Sequence, residues 1–233
     1  MIANVLPGIS LDEIDLQSCW FNPGCAMSIY KPQLIVPMLE LLQTHFGPVR
    51  LHDRCCQHDP GLQPGAVIIN NCAGCDRRFR SEYPGIRTIS YWEVLDSLSG
   101  VSLPDHSGLT VSVHDSCSYR PKPQVHAAVR SILRKMNIQI VDAELSGIRS
   151  VCCGDKFYGL LPEERVAELQ RNRAVQMPCE DVVVYCIGCV RSMTVGGKRP
   201  RYLPDLLFGR ETPPMTNTLT GYHNELEDYI RQH

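Results

Sequence analysis

The sequence predicts an α/β fold made of two similar halves, each with a parallel sheet flanked by helices. Short apolar segments, such as "AVIIN" at 66–70 and "DVVVY" at 181–185, alternate with segments of helical periodicity. The same order of segments and cysteines occurs once in each half, which indicates an internal repeat. Because the loops after parallel strands meet at one edge of a sheet, we expect binding sites at these loop ends.

In each half, a helix follows the single cysteine and is itself followed by a short strand. In "KPQLIVPMLELLQTHFG" at 31–47, Pro32 is expected in the first helical turn and Gly47 at the helix end. The segment "KPQVHAAVRSILRKMN" at 122–137 has its apolar residues at the same spacing. The strand candidates that follow are "VRLHD" at 49–53 and "IQIVD" at 138–142.

The ends of the two halves also match, with "ISYWEVLDSL" at 89–98 and "PRYLPDLLFG" at 200–209. The halves are therefore expected to be Rossmann-like, with a link between them at 97–109. The predicted divisions are an N-terminal repeat at 1–100, a C-terminal repeat at 101–212 and a tail at 213–233. We interpret the Pro- and Thr-rich tail as solvated rather than as a docking helix.

The first half is shortened. Residues 154–185 of the second half include "LPEERVAELQRNRAVQ", which predicts a helix beginning near Pro162. The corresponding residues 57–71, "QHDPGLQPGAVIINN", contain Pro and Gly and leave no room for a helix. The first half has therefore lost one element.

Composition excludes several functional classes. The chain has 23 Lys and Arg against 25 Asp and Glu and no basic stripe, so we expect no nucleic-acid partner. The N-terminal residues 1–16 lack a secretory pattern and no stretch is apolar enough to span a bilayer, which predicts a cytoplasmic protein without direct membrane insertion. Twelve cysteines in a reducing compartment favour metal or redox chemistry over disulfides.

Ten of the twelve cysteines form one pattern twice: a single Cys, a Cys-Cys doublet and a Cys-x-x-Cys pair. The first set is Cys25, Cys55, Cys56, Cys72 and Cys75, and the second set is Cys117, Cys152, Cys153, Cys186 and Cys189. Cys19 and Cys179 lie outside the pattern, and we interpret both as small buried hydrophobic residues.

Five thiols in one site point to an unusual iron–sulfur cluster. They exceed the four ligands of a tetrahedral structural zinc and those of a plain four-iron cube, and adjacent cysteines can reach different irons. A Cys-x-x-Cys pair alone is also found in zinc knuckles and in thioredoxin-type redox pairs.

The sequence resembles the CCG-domain (cysteine-rich domain) proteins typified by the cysteine-rich subunit of heterodisulfide reductase, with relatives among glycolate and lactate oxidase iron–sulfur subunits. The resemblance rests on "NPGC" ending at Cys25, "VHDSCSYR" around Cys117, "SVCCGDKFYG" around the second doublet and "YCIGC" ending at Cys189. It implies a non-cubane [4Fe-4S] cluster on the second set. We prefer the interpretation that the first set binds a second non-cubane cluster, so that the chain holds one or two clusters.

The first half departs from the family pattern, since its doublet reads "CCQ" and its following interval is short. Zinc, a simpler cluster or no metal therefore remain alternatives there. His114 and Arg120, three residues on either side of Cys117, match a family phrase. This implies that Arg120 offsets cluster charge and His114 donates a hydrogen bond or proton. The alternative is that His114 only closes a strand and Arg120 is a solvated surface charge.

The resemblance implies an oxidoreductase subunit that reduces a disulfide or similar small redox substrate. The chain lacks a ferredoxin-type cysteine run, so a ferredoxin-like or flavin-containing partner is expected to deliver electrons. The alternative is a non-catalytic electron-transfer subunit docked on a flavin or hydroxy-acid dehydrogenase. A structural zinc protein is a third possibility.

Overall fold

The computed structural model describes residue 14 and residues 19–233. Most of the N-terminal stretch 1–16, for which no secretory pattern is predicted, lies outside the described residues. The chain divides into two compact units, the first comprising residues up to Val101 together with Tyr229–His233 and the second Ser102–Asp228. Within the described part, none of the helices has both the length and the apolar character that crossing a bilayer requires.

The first unit contains a four-stranded parallel sheet in the order β2-β1-β3-β4. Its elements are β1 (Cys19–Asn22), α1 (Cys25–Tyr30), α2 (Ile35–His45), β2 (Arg50–Leu51), β3 (Val67–Asn70), α3 (Ala73–Glu82), β4 (Arg87–Ser90) and α4 (Tyr91–Ser97). All four residues of β3 are buried, because this strand lies inside the sheet with both faces covered. Ser90 and Glu93 form a capping box that starts α4 directly after β4.

The second unit repeats this arrangement in the order β6-β5-β7-β8, again with parallel pairs. Its elements are β5 (Thr110–His114), α5 (Pro123–Lys135), β6 (Gln139–Ile140), α6 (Glu163–Val175), β7 (Asp181–Val184), α7 (Ile187–Val195), β8 (Arg199–Tyr202) and α8 (Leu203–Leu207). A last helix, α9 (Leu219–Gln232), ends the chain. The predicted fold, two similar α/β halves with parallel sheets and flanking helices, is confirmed.

The difference between the halves is also confirmed. Helix α6 starts directly after Pro162, whereas residues 57–66 of the first unit contain neither helix nor strand. The Pro and Gly residues of that segment disfavour both helix and strand. The link at 98–109 has no regular secondary structure.

Three local expectations need correction. Pro32 opens a 3-10 turn, Pro32–Leu34, and α2 begins only at Ile35. Strands β2 and β6 are two residues long, since only this part of each predicted strand pairs with its neighbour. Residues 213–233 are not a solvated tail, because they contain α9, whose Leu219 and Tyr222 are buried.

The start of α9 packs against the loop that follows the second cysteine doublet. The His223 ring stacks on Tyr158 with ring centroids 3.9 Å apart, and its Nε2 lies 3.4 Å from Oδ1 of Asp155. The segment "GDKFYG" between the doublet and α6 is therefore fixed by hydrogen bonds of its own backbone turns and by side-chain contacts with α9.

Candidate metal centres

The cysteines of each set lie in three segments that follow strands of the same sheet, either in the connecting loop or in the first turn of the next helix. Cys25 follows β1, the doublet Cys55 and Cys56 follows β2, and Cys72 and Cys75 follow β3. In the second unit, Cys117 follows β5, the doublet Cys152 and Cys153 comes after β6, and Cys186 and Cys189 follow β7. Parallel strands end at one sheet edge, so residues distant in sequence converge there.

In the first set the five sulfurs form one connected group. The Sγ atoms of Cys25 and Cys55 are 3.3 Å apart. Cys55 also contacts Cys56, which contacts Cys75, which in turn contacts Cys72. All five thiols are buried or half-buried, and none is in a disulfide.

The second set has the same order of contacts. Cys117 contacts Cys152, and Cys152 contacts its neighbour Cys153. The Sγ atoms of Cys153 and Cys189 are 3.7 Å apart, and Cys189 contacts Cys186. Corresponding thiols are therefore in contact in the same order in the two halves. The single Cys contacts the first Cys of the doublet, the second Cys of the doublet contacts the second Cys of the Cys-x-x-Cys pair, and this one contacts the first.

Crowding of the thiols shifts their ionisation. A hydrogen bond with the Cys25 thiol lowers the pKa of Cys55 to about 3, and one with the Cys117 thiol lowers the pKa of Cys152 to about 2. Hydrogen bonds to neighbouring thiols, with burial and negative charge, raise the pKa values of the donors Cys25, Cys117 and Cys189. All five thiols of a set can ionise together only if a positive group such as a metal ion or cluster binds among them.

The backbone adds favourable partners for thiolates. Cys72 and Cys186 are the N-cap residues of α3 and α7, so the positive end of a helix dipole lies at each Cys-x-x-Cys pair. The amide of the residue two positions after the first doublet cysteine donates to its sulfur in both units, at 3.4 Å from Gln57 to Cys55 and 3.3 Å from Gly154 to Cys152.

The glycine of "CCG" is explained by helix α6. Gly154 has φ of +108°, and a Cβ there would lie 3.0 Å from Cβ of Leu169 and 3.3 Å from the carbonyl oxygen of Val166. Both contacts belong to α6, which the first unit lacks. The exposed Gln57 at the corresponding position therefore meets no helix, and the departure "CCQ" follows from the lost element.

His114 lies close to the second set. It is the last residue of β5, its side chain is buried, and one of its ring nitrogens lies within 4.8 Å of the sulfurs of Cys153 and Cys189. Burial, together with the positive charge of Arg173, lowers the pKa of His114 to about 4, so the ring is neutral near pH 7.

Arg120 is exposed, and its Nε donates to the carbonyl oxygen of Ser150 at 2.7 Å. A buried arginine near the second set is Arg173 of α6, whose charge interacts with Cys153 and Cys189. Arg173 is not part of any cysteine motif. The helical periodicity could have indicated that Arg173 is buried, because it shares one face of α6 with Val166 and Gln170, which are both buried.

The first unit has Asn22 where the second has His114, three residues before the single cysteine. Asn22 is buried, and its Nδ2 lies 3.3 Å from Nδ1 of His52. His52 Nε2 in turn lies 3.2 Å from the carbonyl oxygen of Pro60. The surroundings of the two sets therefore differ although their cysteines correspond.

The two remaining cysteines lie elsewhere. Cys19 is fully buried in β1, as predicted. Cys179, in the loop before β7, is only half-buried, because this loop lies at the unit's surface with its backbone held by Ser112 and Lys198.

Residues 111–194 match the family model CCG, described as a cysteine-rich domain. The match covers a little over a third of the chain and includes every cysteine of the second set. No curated protein matches the chain. Residues 111–194 are thus similar to a cysteine-rich domain of the CCG type, and the clustered cysteines there indicate binding of an iron–sulfur cluster or another metal group.

Proposed function

We propose that the chain is an iron–sulfur oxidoreductase subunit of the heterodisulfide-reductase type, in which each five-cysteine set holds a non-cubane [4Fe-4S] cluster. The observation that carries the proposal is the shared order of sulfur contacts in the two sets. A tetrahedral zinc would leave one thiol of each group without a role, whereas a cluster that takes five thiolates uses all of them.

The surroundings of the thiols suit such a group. Two helix N-termini and two backbone amides face the sulfurs and favour their ionised form. The unfavourable crowding of five thiols is relieved once a positively charged cluster binds among them. We infer that all ten cysteines of the two sets are ligands, and that zinc in the first set is the competing occupant.

The proposed reaction is reduction of a small disulfide or a comparable redox substrate. Two electrons and two protons are consumed, the S–S bond breaks and two thiols leave. When bound, the clusters supply the electrons, since iron–sulfur centres are one-electron carriers. The residues of this chain fix the positions of the sulfurs and limit access to them. In the first unit, Asp53 and Arg54 line the same narrow pocket as the buried doublet Cys55 and Cys56.

We propose that electrons come from a ferredoxin-like or flavin-containing partner subunit, and that the protein works in the cytoplasm. None of the ten cysteines of the two sets is in a disulfide, and thiols of this kind persist in a reducing compartment. A donor subunit is needed because, with one cluster bound by each set, only Cys19 and Cys179 remain, and these are too few to bind a further cluster that would receive electrons.

Metal analysis of anaerobically purified protein tests the proposal. We expect about eight iron atoms and as many sulfides per chain, without zinc, and EPR signals on oxidation and reduction. Cys152→Ser is expected to lose about half of the iron, whereas Cys179→Ser, outside both sets, should retain all of it. About four irons would restrict the cluster to one set, and a colourless zinc protein would refute the proposal.

Turnover separates the proposed reaction from its alternative. With an artificial donor, the loaded protein is expected to reduce a disulfide. Reversible redox signals without turnover, together with a tightly bound dehydrogenase, would instead favour a non-catalytic electron-transfer subunit docked on a flavin or hydroxy-acid dehydrogenase.

A further inference from the structure

The buried pair Arg173 and His114 connects α6 to the second cysteine set. Nε of Arg173 donates to Nδ1 of His114 at 3.1 Å. The other guanidinium nitrogens donate to Oε1 of Gln176 at 2.7 Å and to the carbonyl oxygen of Leu145 at 2.8 Å. Both side chains of the pair are almost completely buried, at 2% and 1% exposure. Three hydrogen bonds therefore fix the guanidinium in place.

The direction of the bond between them determines the tautomer of the imidazole. A guanidinium has only donors, so Nδ1 of His114 must be the acceptor. A neutral imidazole that accepts at Nδ1 carries its proton at Nε2. Among the described residues, Nε2 of His114 has no hydrogen-bond partner, although it is buried.

The sulfurs of Cys153 and Cys189, within 4.8 Å of a His114 ring nitrogen, are available acceptors for this N–H group. We infer that Arg173 is a positioning residue that holds His114 as an N–H donor toward the sulfurs of Cys153 and Cys189. In this tautomer Nε2 has no lone pair, so His114 cannot itself become a ligand of the bound metal group. The inference rests on the proposed function, because it assigns His114 a role beside a cluster.

The pair makes the two proposed sites unequal. Hydrogen bonds to cluster thiolates withdraw negative charge, which favours the reduced form and raises the reduction potential. In the first unit, Nδ2 of the corresponding Asn22 is engaged by His52, and no helix equivalent to α6 supplies an arginine. The cluster of the second set is therefore expected to be reduced first.

The tautomer can be measured without any cluster. In metal-free full-length protein with ¹⁵N-labelled histidine, we expect the His114 spectrum to show a protonated Nε2 and an unprotonated Nδ1 at pH 7. The signals of His114 are identified by their loss in His114→Asn, which places in the second unit the residue found in the first. A protonated Nδ1 in the wild-type protein would overturn the inference.

Substitution of the arginine tests its positioning role. Arg173→Met should release the imidazole to a mixture of tautomers, and Co²⁺ bound to this variant should show nitrogen ligation that the wild type lacks. In the iron-loaded variant, the cluster of higher potential should shift to a lower potential. The control is Arg171→Met, an exposed arginine of the same helix, which should change neither property.

The outcomes separate this inference from the proposed function. An unchanged tautomer and potential in Arg173→Met would overturn the inference even in a protein that binds iron. Histidine nitrogen coupled to iron in the wild-type protein would also overturn it. A protein without iron would refute the proposed function, whereas the tautomer of His114 in the metal-free wild-type protein would still decide whether Arg173 holds the imidazole with Nδ1 as the acceptor.

Discussion

Gly24 lies so close to Cys72 that a Cβ on the glycine would be 2.6 Å from Cβ of the cysteine. Gly24 has φ of +82°, precedes Cys25 and is the N-cap of α1, so the close approach lies inside the first cysteine set. The second unit has Ser116 here, with φ of −62°, and needs no glycine. This contact fixes how near the single cysteine comes to the Cys-x-x-Cys pair.

We expect Gly24→Ala to lower the free energy of unfolding by about 2–5 kcal/mol, from backbone strain and overpacking together, and to impair metal binding by the first set. The matched control is Gly65→Ala, where φ is +91° but no atom lies within 4 Å of a new Cβ. It should cost only the strain, about 1–2 kcal/mol. Urea unfolding of the metal-free proteins measures both, and equal losses would argue against the contact.

The packing of α6 against the second doublet predicts that the positions directly after the two doublets, Gly154 and Gln57, tolerate different residues. Gly154→Gln is expected to destabilise the protein by more than about 3 kcal/mol, because the side chain meets Leu169 and Val166 and the backbone has positive φ. Gln57→Gly, the reverse change at an exposed position of the first unit, should cost less than about 1 kcal/mol. Similar losses in the two variants would show that α6 is not the reason for the glycine.

A buried ion pair supports the loop that carries Cys117. Asp115 is fully buried and accepts two hydrogen bonds from Arg130, at 2.9 and 3.0 Å, and others from the Gly147 amide and the Tyr185 hydroxyl. Burial acts to raise the pKa of Asp115, but the hydrogen bonds and charge of Arg130 outweigh it and lower the pKa overall. Asp115 is therefore ionised at neutral pH.

Asp115→Asn is expected to destabilise the protein by about 3 kcal/mol, because Arg130 would lose its buried carboxylate partner and keep only Asp142, which is 40% exposed. The surface pair of Arg199 and Glu180 provides the comparison, since both side chains are more than half exposed. Arg199→Ala should cost less than about 1 kcal/mol. Thermal and urea unfolding would reveal the difference, and a small effect at Asp115 would contradict the prediction.

Burial of neutral His114 predicts a pH dependence of stability in the metal-free protein. Its pKa falls from 6.5 in the unfolded chain to about 4 in the folded one, so the unfolded state binds the proton more strongly. The contribution is complete above pH 6.5 and is lost as the pH falls from 6.5 toward 4, by about 3 kcal/mol at most. Unfolding at several pH values should therefore show a steeper acid loss in the wild type than in His114→Asn. Parallel curves would contradict this.

The repeated cysteine spacing predicted which thiols come together, because residues that follow parallel strands converge at one sheet edge whatever the conformation of the loops. The helix after Pro162 and its absence from the first half were predictable from apolar spacing and from Pro and Gly. The role of Arg173 was not, since a charged residue on a predicted helix is normally solvated, and only the fold shows that β5 brings His114 beside it. The start of α9 was not predicted for a similar reason, because His223 is held by contacts with Tyr158 and Asp155 of a loop that is distant in sequence.

The shared order of sulfur contacts has a consequence for how the chain folds. A group bound by one set would act as a covalent cross-link between three loops, joining residues as distant in sequence as Cys117 and Cys189. Such a link removes conformations mainly from the unfolded chain, so that binding free energy becomes folding free energy. Each half carries its own five-cysteine set, so a metal group bound by one set would stabilise that half alone, and its loss would destabilise that half without removing the cross-link of the other.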